Sequence, residues 1–156
     1  MPERRWLDQR EAQVWQAYRD LKVELQAALD RQLERDANLS GADYALLVPL
    51  SESVDGVLRA RDLGRMIDWD RSRISHQVRR MEKRGLVARE DCVDDARGSM
   101  VRLTPAGRAA IEAAAPEHVE TVRRYVFDPL TREEIETLGA LFDRMLACLA
   151  GDTVSA

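Results

Sequence analysis

Residues 70–85 read DRSRISHQVRRMEKRG, and this segment is the most informative about the fold. On a helical wheel with about 100° between successive residues, Ile74, Val78 and Met81 fall on one flank. The opposite flank is polar and mostly cationic. Asp70 is a favourable N-cap residue, and a glycine after a basic last turn is typical of a helix end. The pattern therefore predicts one amphipathic helix that ends near this glycine.

The polar flank carries side chains that can read a DNA duplex. Arginine bonds guanine and glutamine bonds adenine through two atoms each, serine bonds either base, and further cations hold phosphates. A short helix over residues 61–69 and a tight turn precede this amphipathic helix. Together the three elements form a helix-turn-helix. A solvated helix without a partner has a similar pattern, so that alternative stays open at this point. The residues of this helix predicted to contact DNA are Arg71, Ser72, Arg73, Ser75, His76, Gln77, Arg79 and Arg80.

Two short strands follow, over residues 86–90 and 99–103, and the polar loop between them predicts a hairpin tip. Arg97 in this tip can reach the DNA backbone or the minor groove beside the helix. The charge distribution agrees, because residues 59–108 carry a balance of +5 and the remainder carries −9. A basic middle between acidic arms favours one surface that binds polyanions, although a solvated mixed-charge face shows some of the same numbers. Together, the helix and the strand pair favour DNA binding.

Both chain ends are predicted to be helical. A capping pair, Asp8 with Glu11, opens a long first helix over residues 9–35, and a second pair, Thr131 with Glu134, opens the last helix. Both helices carry an apolar stripe that needs a partner, which implies packing between the chain ends, either within one chain or between two. The residues predicted to form this packing are Val14, Tyr18, Leu21, Leu138, Phe142 and Met145.

Two of the remaining helices contain proline. Residues 40–43 start the second helix of the chain, which Pro49 should bend or shorten. Residues 104–105, Thr-Pro, open an alanine-rich helix to about residue 126, in which Pro116 predicts a kink.

The composition argues against several classes of protein. With 45% hydrophobic and 33% charged residues, the chain is not expected to be disordered. No apolar run approaches the roughly 18 to 20 residues of a membrane span and no secretion signal is evident, so we expect a cytoplasmic protein without a membrane partner. Two cysteines and two histidines form no zinc-binding pattern, and there is no nucleophile–base pair or phosphate-binding loop. We therefore expect no catalysis, metal or cofactor.

Four linked motifs carry a family resemblance: SRISHQV at residues 72–78, MEKRGLV at 81–87, DAR at 95–97 and LTPAGR at 103–108. In order and spacing, this set resembles the MarR family of winged helix-turn-helix transcription regulators. The resemblance covers nearly the whole chain in helix order.

The resemblance implies a fold that is mainly α with a small β wing: a winged helix-turn-helix whose helical dimerisation region is formed by both chain ends. The corresponding domains are an N-terminal dimerisation helix at 1–38, a DNA-binding domain at 39–108 and C-terminal dimerisation helices at 109–156. The resemblance also implies a homodimer on double-stranded DNA with a pseudo-palindromic operator. The expected function is repression, released by a small aromatic or phenolic effector.

The resemblance further implies roles for single residues. Asp95 matches the family residue that steadies the wing, and Arg97 matches the one that meets DNA. Pro49 and the acidic wing tip at residues 91–95 depart from the family pattern. The base-reading positions of the family match Ser72, Arg73, His76 and Gln77.

An effector pocket is predicted from the aromatic residues, because such pockets are apolar with a few placed polar groups. Asp68 and Arg59 are candidates for its polar contacts, or equally a cap and a solvated charge. Aromatic residues at helical spacing are more often simply core, so both interpretations stay open. The aromatic candidates are Trp15, Tyr18, Tyr44 and Trp69.

Two alternative functions remain. Regulation by thiol oxidation would use Cys92, but its acidic neighbours disfavour the reactive thiolate. A protein-interaction adaptor that keeps the winged fold without DNA contact fits the net charge of −4 and the acidic wing.

Overall fold

The computed structural model of the chain describes residues 4–91 and 99–153. The chain divides into two units, Met1–His118 and Val119–Ala156. The described part is mainly helical with one three-stranded antiparallel sheet, which confirms the predicted fold class. No helix in these residues is long and apolar enough to cross a membrane.

The first helix, α1, spans Gln9–Ala37 and begins at the predicted capping box. The Glu11 backbone N–H donates to Asp8 Oδ1 at 2.8 Å, and the Asp8 backbone N–H donates to Glu11 Oε2 at 2.9 Å. The helix ends at Asn38, which adopts the left-handed conformation with φ 52°. Local capping chemistry therefore sets both ends of this helix, as the sequence predicts for its start.

The second helix, α2, spans Gly41–Glu52 and also begins with a capping box, between Ser40 and Asp43. Pro49 lies inside its last turn and is buried, and the helix ends at Glu52 within one turn of it. A proline at this place removes one helical hydrogen bond near an end, where the helix has few left to lose.

The helix-turn-helix consists of α3, Ala60–Met66, and α4, Arg71–Lys83. α3 ends before Trp69, so it is shorter than predicted. The backbone turns at Asp68, with φ 55°, and the Trp69 N–H donates to the Gly64 carbonyl at 2.8 Å. A Cβ on Gly64 would lie 2.9 Å from the Trp69 carbonyl oxygen, so only glycine lets α3 pack this closely against the turn.

α4 ends at Lys83, within two residues of Gly85, which follows the C-cap Arg84 and adopts φ 74°. The wing strands β2, Val87–Asp91, and β3, Ser99–Leu103, follow within one residue of the predicted positions. A third strand that the sequence analysis missed, β1 at Val57–Arg59, pairs with β3 and gives the sheet order β1-β3-β2.

The core of the first unit joins its helices to the wing sheet. Ile74, Val78 and Met81 of α4 are buried there, as the helical wheel predicts. Further core residues include Leu33, Leu46, Leu47, Leu50, Leu63, Val87, Val101 and Ile111. Because the apolar flank of α4 is fixed in this core, its other flank faces outward.

The fifth helix, α5, spans Pro105–Val122 and contains Pro116. The Gly107 backbone N–H donates to Thr104 Oγ1 at 3.0 Å, which confirms the predicted N-cap. The α-helix ends a few residues earlier than predicted, because a π-helical turn, Arg123–Phe127, follows it.

The last helix, α6, spans Arg132–Thr153 in the second unit. The Thr131 backbone N–H donates to Glu134 Oε2 at 2.7 Å, and the Glu134 backbone N–H donates to Thr131 Oγ1 at 3.3 Å, which confirms the predicted capping pair. The bonds from Thr131 lower the pKa of the Glu134 carboxyl, because they favour its charged form.

Candidate nucleic-acid interface

The exposed flank of α4 is the candidate interface. Asp70 caps the helix by accepting from the Arg73 backbone N–H at 2.9 Å, which fixes its first turn. Seven of the eight helix residues predicted to contact DNA are exposed, and five of these are arginine or histidine. They are Arg71, Ser72, Arg73, Ser75, His76, Arg79 and Arg80.

Gln77 is the exception, and the prediction that it contacts bases is wrong. Its side chain is only 6% exposed, and Nε2 donates to Asp43 Oδ1 at 2.6 Å. On the wheel Gln77 lies about 40° from Met81, so it belongs to the edge of the core flank. A buried amide needs a partner, and Asp43 supplies it from α2.

Asp43, at the predicted start of the second helix, has a structural role that the sequence pattern did not predict. It is 2% exposed, and its Oδ2 also accepts from Arg84 Nη1 at 2.5 Å. Arg84 Nη2 donates to the Asn38 carbonyl, so this partly exposed arginine is bonded to two inward-facing acceptors. The one available signal was an acidic residue followed by the apolar run LLVPL, since a charge on a core-forming helix needs a partner.

Arg73 lies in the first turn of α4, on the exposed flank, and stacks on an aromatic ring. Its guanidinium carbon is 3.8 Å from the centroid of the half-buried Trp69 ring. A cation over an indole face is attracted to the ring quadrupole. The stack restrains a side chain that is otherwise flexible and leaves the guanidinium edge free to donate.

An open groove of about 520 Å³ adjoins this stack. Trp69 and Ile74 supply apolar surface, and Asp68 supplies the one carboxylate. Its remaining charged lining is cationic and comes from Arg59, Arg61, Arg65 and Arg71. The groove therefore offers an aromatic face beside several guanidinium donors.

The stem of the wing is tied to α4 and held within itself by ion pairs. Arg89 Nε of β2 lies 3.0 Å from Glu82 Oε2 of α4, and Arg102 Nε of β3 lies 2.5 Å from Glu90 Oε1 of β2. The Arg102 guanidinium lowers the pKa of the Glu90 carboxyl. Asp95, Arg97 and Cys92, for which the sequence predicts roles, lie outside the described residues.

One chain does not bring the four predicted pocket aromatics together. Trp15 and Tyr18 stack on each other on an exposed part of α1, with ring centroids 5.4 Å apart. Tyr44 instead packs on His118, at 4.3 Å between centroids, and Trp69 packs on Arg73.

The Trp15–Tyr18 pair and the Tyr44–His118 pair lie near different parts of α1. His118 Nδ1 lies 3.3 Å from Gln32 Oε1, and Gln32 lies about 26 Å beyond Trp15 along the helix. Burial raises the pKa of Tyr44 and lowers that of His118, which favours the neutral form of both. The prediction of one pocket lined by all four aromatics is therefore wrong for a single chain, and only Trp69 lines a groove with Asp68 and Arg59.

The residues predicted to dimerise lie on exposed helix faces in both units. Val14, Tyr18 and Leu21 on α1 are about half exposed. On α6, Phe142 is 49% and Met145 59% exposed, while Leu138 is partly buried. Large apolar side chains on exposed helix faces are typical of an interaction surface.

Comparison with known proteins gives concordant matches. Residues 37–98 match the MarR family model. The DNA-bound crystal structure of Sco3205, a MarR family transcriptional regulator from Streptomyces coelicolor, is 44% identical. It covers 94% of this chain and 91% of its own, with a TM-score of 0.87.

Two further relatives agree. AbsC, another MarR family transcriptional regulator from Streptomyces coelicolor, is 35% identical over 95% of this chain and 99% of its own, with a TM-score of 0.87. YxaD from Bacillus subtilis, an uncharacterised HTH-type transcriptional regulator, is 29% identical over 117 residues, which is 75% of this chain and 80% of that protein.

Proposed function

The chain belongs to the MarR family of DNA-binding transcriptional regulators, and from that premise we propose that it is a homodimeric repressor of a pseudo-palindromic operator. The observation that carries the proposal is the cationic, exposed flank of α4 on a helix whose other flank is fixed in the core. A helix anchored in this way can enter the major groove as a rigid element.

The N-terminal turns of α4 read the bases in this proposal. Arg73, restrained by Trp69, bonds a guanine edge, and Ser72 and His76 lie on the same exposed flank. Arg79 and Arg80 hold phosphates and fix the register. In the wing, Arg97 meets the DNA backbone or minor groove and Asp95 steadies the loop, as the family resemblance implies.

A second copy of the chain covers the exposed apolar faces of α1 and α6 in the proposed dimer. The faces contain aromatic, leucine and methionine side chains that interfaces favour. The two-fold symmetry of such a dimer sets two copies of α4 on half-sites about one helical turn, roughly 34 to 36 Å, apart.

We place the effector in the groove beside Trp69. An aromatic acid can stack on the indole while its carboxylate pairs with guanidinium groups, which matches the chemistry of the lining. Arg71 lines this groove and also belongs to the proposed DNA surface, so effector and operator compete for it. An effector that binds only the DNA-free state then shifts the population towards release.

A footprint on the DNA flanking the gene tests the repressor. The expected result is two protected half-sites about one turn apart, with release upon addition of benzoate, an aromatic acid, or of a phenolic acid. Arg73→Ala should weaken operator binding by about 1–3 kcal/mol per base contact. Arg132→Ala, which removes the same charge from an exposed site on α6, should leave binding unchanged. Absence of any protected region, with no salt-sensitive DNA binding, would favour an adaptor instead.

A further inference from the structure

Asp43 holds the recognition helix α4 and the N-terminus of α2 through one buried carboxylate. Oδ1 accepts from Gln77 at 2.6 Å, and Oδ2 accepts from Arg84 at 2.5 Å and from the Ser40 backbone N–H at 2.9 Å. The carboxylate is 2% exposed, so these bonds form away from water. No buried side-chain nitrogen or oxygen in the described residues lacks a partner, which makes this a fully satisfied cluster.

The two α4 donors lie two helical turns apart on one side of the helix. Arg84, which caps α4, lies seven positions after Gln77, which is about 10.5 Å along the axis. Both side chains converge on the two oxygens of one carboxylate, so bonds from two places along α4 restrain its rotation about its axis and its displacement along it.

Arg84 extends the connection to α1, one of the two helices proposed to form the dimer. Its second nitrogen, Nη2, donates to the carbonyl of Asn38, the residue that caps α1. The planar guanidinium can bond both acceptors at once because its donors form a rigid fork. The cluster thus joins the end of α1, the start of α2 and the inner side of α4.

Stability alone does not require such a cluster. Replacement of a buried ion pair by well-packed apolar residues is often neutral or stabilising, because desolvation of the charges offsets their attraction. Directional bonds add a constraint on orientation to the one that the apolar packing of α4 supplies. The capping box of α2 uses only the Ser40 contact and does not account for Gln77 or Arg84.

We propose that Asp43 is a positioning residue that sets the orientation of α4 against the end of α1, and so fixes the half-site spacing that the dimer accepts. The inference rests on the proposed function, since spacing has meaning only for a dimer on two half-sites. Asp43 acts through Gln77 and Arg84 and touches no DNA itself.

The test compares operator spacing between variants. Wild-type protein selects its preferred duplex from a randomised pool, and binding is then measured to this duplex and to versions with one base pair added or removed between the half-sites. Asp43→Asn should lower affinity for the selected duplex about 5- to 150-fold, the usual range of energetic coupling between sites. Its affinity for the altered spacings should fall less. The ratio between the affinity for the selected duplex and the affinity for the altered spacings therefore becomes smaller.

A purely structural role gives a different result. Ile111→Ala removes core volume in α5 and serves as the stability control. It should lower the folded fraction and reduce binding to all three duplexes by the same factor. If Asp43→Asn, compared at equal folded fraction, retains the wild-type preference among spacings, the inference is overturned.

A second variant keeps the test decisive if Asp43→Asn does not fold. Arg84→Lys retains the charge but lacks the rigid fork of donors that bonds Asp43 and Asn38, and its site is partly exposed. It should reduce the affinity ratio between the selected and the altered spacings in the same way. An unchanged ratio overturns the inference. Wild-type protein that selects no duplex overturns the proposed function as well, whereas a selective wild type with unaltered variants overturns only the role of Asp43.

Discussion

Replacement of Trp69 tests whether the stack on Arg73 prepares α4 for base reading. Trp69→Leu keeps apolar bulk in the turn but removes the ring that lies 3.8 Å from the guanidinium. Arg73 is exposed and Trp69 is half-buried, so the cation–π contact belongs to the weaker range of about 0.5–1 kcal/mol. This energy corresponds to about a two- to fivefold loss of affinity per subunit, or about five- to thirtyfold for a symmetric dimer.

The assay is fluorescence anisotropy with the selected duplex and with a random duplex of equal length. The loss should appear on the selected duplex only, because phosphate contacts do not depend on the stack. Trp69→Phe, which retains an aromatic face, should give an intermediate loss. If Trp69→Leu binds the selected duplex like wild type, or Trp69→Phe is as impaired as Trp69→Leu, the stack does not position Arg73.

Three further predictions concern the dimer, the turn and the wing stem. Phe142→Asp should yield a monomer by sedimentation that no longer protects two half-sites, while Ala140→Asp, away from the apolar seam of α6, should remain dimeric; a tightly binding Phe142→Asp monomer contradicts the dimer. Gly64→Ala should lower the free energy of unfolding in urea by about 1–3 kcal/mol, because its Cβ would lie 2.9 Å from the Trp69 carbonyl oxygen, whereas Gly151→Ala, with nothing within 4 Å, should change it little. Arg102 lowers the pKa of Glu90, so the pair stabilises the fold at pH values above the ordinary pKa of glutamate. This stabilisation is lost as the pH falls through the lowered pKa. The unfolding temperature of Arg102→Ala should accordingly lie below that of wild type at neutral pH, and the two temperatures should converge in acid. A difference that persists in acid would show that loss of the ion pair is not its cause.

Local features of the sequence predicted the helices well. The Asp8 and Thr131 capping pairs and the glycine at position 85 each act within a few residues, so the sequence contains all the partners. The buried flank of α4 followed from periodicity in the same way. The strand at residues 57–59 was missed because three residues show no alternation, and its partner β3 lies more than forty positions later.

Features that depend on distant partners could not be derived from the pattern. Gln77 is polar and lies at the edge of the core flank, and only the position of Asp43, 34 residues earlier, decides that it points inward. One chain does not join the four predicted pocket aromatics for the same reason, since helical spacing does not reveal which neighbour covers a ring. Trp15 and Tyr18 stack on each other, whereas Tyr44 packs on His118.

The exposed flank of α4 is proposed to read operator sequence through Arg73. Selection of duplexes from a randomised pool by wild type and by Arg73→Ala, followed by sequencing, measures this role of Arg73. We expect Arg73→Ala to relax the preference at one base position, repeated symmetrically in both half-sites, and to leave the other positions intact. Identical selected sequences for the two proteins would contradict it.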